Sequence, residues 1–133
     1  MSDQALFETR QATPAEVRDF DADWTDINWG VWYNGELVAL FQADEDGDGW
    51  LNVHATVARR TLHPTVSKAY AETFSDRLLK LGAYGLKAEI EPWNRAAILM
   101  AKAAGYREVN RNDEWVLLVR ESDGKEETST ATV

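Results

Sequence analysis

The sequence predicts a single α/β domain of the mixed α+β kind, with a mostly antiparallel sheet flanked by helices. Two observations carry that expectation. Asn34-Gly35 and Asp46-Gly47-Asp48-Gly49 are turn sequences that separate runs rich in aromatic and β-branched residues, the signature of consecutive antiparallel strands. Two later segments open with helix-start residues, Pro64 and Asn94, and stop at glycines, Gly82 and Gly105, so helices interrupt the strands. The length of 133 residues suits one domain, and no internal repeat divides it.

The elements follow in order. Residues 5–11 carry a weak strand signal. Thr13-Pro14-Ala15-Glu16 combines a capping Thr, a first-turn Pro and a Glu placed to bond back to the cap, which predicts a short helix to about Phe20. Residues 28–33 and 36–42 read as strands joined by a type I′ turn at Asn34-Gly35, where both central residues take positive φ. After the acidic turn, Leu51, Val53, Ala55 and Val57 alternate with Trp50, Asn52, His54 and Thr56, giving a strand with two chemically different faces. Val66, Tyr70, Phe74, Leu78 and Leu81 form the apolar stripe of a helix opened by Pro64 and ended by Gly82. A strand over 84–91, a helix capped by Asn94 and running through Ala104, and a hairpin of 106–110 with 115–120 around Asn112-Asp113 complete the domain at residue 120. From Glu121 onward there is no aromatic residue and only a terminal Val to bury, so residues 121–133 read as a disordered acidic and polar tail.

Composition removes several function classes. Fourteen Lys and Arg against 23 Asp and Glu give a net charge of −9, which opposes phosphate-driven nucleic-acid binding. The absence of cysteine excludes disulfides, thiolate catalysis and cysteine-held metals. Apolar runs such as residues 96–101 fall far short of the roughly 20 residues of a membrane span, and the Met1-Ser2-Asp3-Gln4 start lacks a basic leader, so the expected location is cytoplasmic. Residues 44–49 match the first half of a calcium-binding EF-hand loop, but Ala55 stands where its bidentate Glu belongs, and the segment reads as an acidic hairpin turn.

The stretch Glu89-Ile90-Glu91-Pro92-Trp93-Asn94-Arg95-Ala96-Ala97-Ile98, followed by Ala104-Gly105-Tyr106, resembles the GNAT superfamily of acetyl-CoA-dependent N-acetyltransferases. In that family an Asn opens the helix beside the cofactor and a Gly-aromatic pair turns the chain into the next strand, the places held here by Asn94, Gly105 and Tyr106. The element order over residues 28–120 is similar as well, and the chain looks most like short GNAT-like proteins of tailed bacteriophages. The resemblance implies a splayed parallel pair formed by strands 50–57 and 84–91, with acetyl-CoA between them and an amine as acceptor. It implies cofactor contacts at Val57, Arg59, Arg60, Thr65 and Asn94. Two features depart from the family pattern: His63-Pro64-Thr65 replaces the glycine-bearing end of the pyrophosphate loop, and Ala101 stands where the family often has a proton-donating Tyr. Pro64 has no N–H for a phosphate.

Three residues are candidate proton acceptors for the amine. His54 lies on the polar face of its strand, where imidazole serves as a base or as a bonded structural residue. Glu89 and Glu91 can hold or deprotonate an ammonium, or can face solvent with Lys87 as partner. Six tryptophans are many for this length, with Trp24, Trp29 and Trp32 crowded before the first hairpin, which marks a surface for a protein partner as the alternative role: a non-catalytic virion component or binder of a host protein.

Overall fold

The structure, a computed structural model, describes residues 7–58 and 64–122. Its elements run β1 (Phe7–Gln11), α1 (Pro14–Asp19), β2 (Ile27–Tyr33), β3 (Glu36–Glu45), β4 (Trp50–Val57), α2 (Pro64–Lys80), β5 (Gly85–Ile90), α3 (Arg95–Ala103), β6 (Arg107–Arg111) and β7 (Val116–Glu121). The strands of the described residues form one sheet in the order β1-β2-β3-β4-β5-β7-β6. Every pairing is antiparallel except β4 with β5. This is the mixed, mostly antiparallel architecture that the sequence predicts.

Local chemistry explains the connections. Thr13 accepts from the Glu16 N–H at 3.2 Å while Glu16 accepts from the Thr13 N–H at 2.9 Å, the reciprocal cap expected for α1. Asn34 and Gly35 adopt φ of 50° and 85°, so the β2–β3 hairpin turns without splaying the strands. Asn94 Oδ1 accepts from the Ala97 N–H at 3.2 Å and starts α3; Gly105, at φ 98°, ends it.

Helices α2 and α3 cover one face of the sheet. Phe41, Leu86, Val116 and Leu118 are buried there against Phe74, Leu78 and Ile98, and Trp29 stacks on Phe74 at 5.8 Å between centroids. Each such side chain contributes roughly 1.5–3 kcal/mol by leaving water. A smaller cluster on the opposite face joins Trp32 and Leu40 to Val17 of α1, with the Arg10 guanidinium 3.8 Å above the Trp32 ring. Arg120 of β7 clamps both large helices, donating to Asp76 of α2 at 2.5 Å and to the Ala104 carbonyl at 3.0 Å.

Four expectations change. Leu81 is 82% exposed and leaves the apolar stripe, because α2 ends at Lys80 and Gly82, at φ 116°, turns the chain away. Lys87 pairs with Asp46 at 2.5 Å rather than with Glu89 or Glu91, since parallel pairing brings β5 beside the acidic turn. The strand at 106–110 starts one residue later, leaving Tyr106 buried between α3 and β6. Strand β7 continues into Glu121, which takes an ion pair from Arg107 at 2.9 Å, and the Ser122 N–H donates to the Tyr84 carbonyl. The rest of the expected tail lies outside the described residues.

Candidate active site

Strands β4 and β5 pair only at one end. Their register is Trp50↔Gly85, Leu51↔Leu86 and Asn52↔Lys87, and the ladder stops there. Beyond it β4 stays bonded to β3 as far as Val57↔Ala39, and β5 to β7 as far as Ile90↔Val116, so the strands part with their facing backbone edges open. Gly85 is what draws the paired end together: the Trp50 ring lies where a side chain of residue 85 would stand. Open backbone edges inside a fold call for hydrogen-bond partners.

A cleft of about 400 Å³ occupies the opening, within the range that holds small ligands. Small residues among its walls, Ala55, Ala88, Ala97 and Ala101, leave width between the strands and α3. His54, Glu89, Glu91 and Asn94 all line it, so four residues singled out from the sequence meet at one place. His54 and Glu89 each lie two residues beyond the last paired residues, Asn52 and Lys87, and both are exposed on the outer face. Glu91 sits at the mouth, where its carbonyl accepts from the Asn94 N–H at 2.9 Å and so ties the end of β5 to the cap of α3.

Val57 ends β4 against the main core and lies outside the cleft lining. Arg59, Arg60 and His63 lie outside the described residues, and Thr65 is described only as backbone within α2.

The cleft also holds a pair that the sequence reading missed. Tyr106 and Ser75 share a 2.9 Å hydrogen bond at its floor, and Ser75 Oγ lies 2.9 Å from the Ala71 carbonyl. A carbonyl only accepts, so Ser75 donates to Ala71 and the Tyr106 hydroxyl donates to Ser75. Burial pushes the Tyr106 phenol up to about 12, with the Arg120 charge opposing. A phenol so held closes the floor and keeps its proton. The only sequence signal for it was the aromatic after Gly105.

Solved structures share the fold. An acetyltransferase of the GNAT family from Streptococcus pneumoniae superposes with a TM-score of 0.72 over 88% of this chain and 99% of its own, at 13% identity. The fold is that of the GNAT acetyltransferases. The GNAT domain of S. lividans PAT matches at TM-score 0.67 and 21% identity, over 83% of this chain and 69% of that one. The aminoglycoside acetyltransferase AAC(6')-Ib, solved with coenzyme A and kanamycin, matches at 0.61 and 16%, over 77% and 70%. No protein-family profile and no curated protein matches the sequence. Within this fold the β4–β5 opening is the splayed parallel pair expected from the resemblance.

Proposed function

We propose that the protein is an acetyl-CoA-dependent N-acetyltransferase for an amine, with a pyrophosphate loop weakened by His63-Pro64-Thr65. The observation that carries the reading is that His54, Glu89, Glu91 and Asn94 line one cleft at the open end of the β4–β5 pair. Bound acetyl-CoA supplies an activated acyl carbon and a thiolate leaving group. The backbone edges of β4 beyond Asn52 and of β5 beyond Lys87 receive the amide groups of the arm, and Asn94 and Ala97 border its reactive end. As the amine nitrogen bonds to the acyl carbon and the carbon–sulfur bond breaks, His54 or Glu89 takes the nitrogen's proton, with Glu91 holding positive charge at the mouth. Tyr106 is no proton donor here, because its hydrogen already goes to Ser75.

A second reading keeps the fold but works by contact, as a phage virion component or a host-protein binder; of the tryptophans expected on such a surface, Trp29 and Trp32 pack into the cores instead, and the reading rests on Trp24, Trp93 and Trp115, which stand 49%, 72% and 41% exposed. Calorimetric titration with acetyl-CoA separates the two. The enzyme reading expects saturable binding that Ala97→Phe, which fills the cleft from α3, abolishes, and thiol release on addition of amines that His54→Ala with Glu89→Gln slows at least a hundredfold. No binding at millimolar acetyl-CoA overturns it.

A further inference from the structure

A second cleft, of about 390 Å³, lies on the outer face of the sheet beside the first. The two share one lining residue among those described, His54. The second cleft is bounded by Asp21 and Asp23 from the α1–β2 connection and by Asp44 from the end of β3, and no Lys or Arg among the described residues lines it. Its wall holds Gln42, 1% exposed. Gln42 Nε2 donates to the Asp23 carbonyl at 2.6 Å and to Asn28 Oδ1 at 2.8 Å. Both partners are acceptors, so the amide cannot be turned the other way, and Oε1 is directed away from them. Oε1 is buried with no hydrogen-bond donor among the described residues. A buried acceptor left without a donor destabilises the fold, and a bound donor relieves that cost.

The bearing loop is held in place. Asn28 Oδ1 accepts from the Thr25 N–H and Nδ2 donates to the Thr25 carbonyl, while Asp26 and Asp44 exchange loop and strand N–H groups: Asp44 takes that of Asp26 at 2.9 Å, and Asp26 takes that of Glu45 at 3.0 Å. Asp44 is thereby fixed, and no three His, Asp or Glu side chains among the described residues converge as a metal would need. Separated negative charges around an open acceptor suit an extended organic cation rather than a single ion.

We infer that this cleft binds an extended amine with at least two ammonium groups, one donating to Gln42 Oε1 among Asp23 and Asp44, the other delivered to His54 at the junction with the first cleft. That the bound amine is the acetyl acceptor rests on the acyl-transfer reading; that the cleft selects dications does not.

Spermidine, 1,5-diaminopentane and pentylamine titrated separately into the full chain by calorimetry test the selection. Spermidine and the diamine are expected to bind at least tenfold more tightly than pentylamine, and spermidine is expected to move the Gln42 side-chain amide resonance in ¹⁵N-labelled protein. Asp23→Asn with Asp44→Asn keeps the acceptor atoms that tie the loop, and is expected to lower spermidine affinity at least tenfold while leaving acetyl-CoA affinity unchanged. Equal binding of pentylamine and spermidine, no movement at Gln42, or unchanged spermidine binding in the double variant overturns the proposal. Spermidine binding without any acetyl-CoA binding supports the dication cleft and overturns the acyl-transfer reading alone.

Discussion

Ser75 and Tyr106 bond to each other at 2.9 Å from elements 31 residues apart, and their direction is set by the Ala71 carbonyl behind Ser75. Because burial holds the Tyr106 phenol at about 12, against 10 in an unfolded chain, the folded protein stays neutral where the unfolded one ionises. The stability this provides is complete below pH 10 and is lost as pH rises through 12; two units correspond to about 3 kcal/mol. Tyr106→Phe is expected to cost about 1 kcal/mol at pH 7. Urea unfolding from pH 9 to 12 is expected to show a steeper loss in the natural protein than in this variant, and parallel curves would contradict the buried phenol.

Gly85 has an ordinary backbone need but an unusual spatial one. A Cβ there would overlap the Trp50 ring, which meets the Tyr84 ring edge-on at 5.8 Å between centroids. Gly85→Ala therefore pushes the ring and loosens the closed end of the β4–β5 pair, with an expected cost of about 1–3 kcal/mol. The tryptophan emission should shift, and acetyl-CoA binding should weaken, because the opening is measured from that end. Unchanged emission and stability would show that the strands are joined by something other than this contact.

The cap of α1 makes an acid-sensitive prediction. Arg10, and next the Thr13 N–H, hold the Glu16 carboxyl down at about 2. Its contribution is full above pH 4.5 and disappears as pH falls through 2. Thr13→Ala is expected to cost about 1 kcal/mol. Glu16→Gln should flatten the fall in urea midpoint between pH 5 and 2, and an equal fall in both proteins would place the acid sensitivity elsewhere.

What the sequence disclosed was local. The Thr13–Glu16 cap, the Asn34-Gly35 turn and the Asn94 cap each depend on residues within three positions, so spacing alone reveals them. The site was half legible: His54, Glu89, Glu91 and Asn94 do share a cleft. Their meeting could not be read, because it depends on a parallel β4–β5 ladder that begins at Trp50 and Gly85, 35 positions apart, and stops at Asn52 and Lys87. Lys87 went to Asp46 for the same reason. Gln42 looked like one more strand residue, and its open oxygen emerges only once Asp23 and Asn28 have claimed the nitrogen.

The last prediction concerns phosphate. Pro64 is the first residue of α2, where its missing N–H costs the helix nothing but gives a pyrophosphate nothing. A charge-assisted hydrogen bond contributes about 1.5–3 kcal/mol, and about 1.4 kcal/mol is a factor of ten in affinity. Restoring donors and backbone freedom with His63→Gly, Pro64→Lys and Thr65→Gly is therefore expected to tighten acetyl-CoA binding at least tenfold, with far-UV circular dichroism confirming that α2 survives. Arg59 and Arg60 are the remaining charges of that segment, and if they already serve the phosphates, replacing both with Gln will abolish binding in the natural protein while the restored loop brings no gain. That outcome would make the loop a working variant, in which side-chain charge has taken over from backbone N–H groups. A tenfold gain in the restored protein, with natural binding weak and indifferent to Arg59 and Arg60, would instead show that the β4–β5 cleft holds the acyl arm unaided.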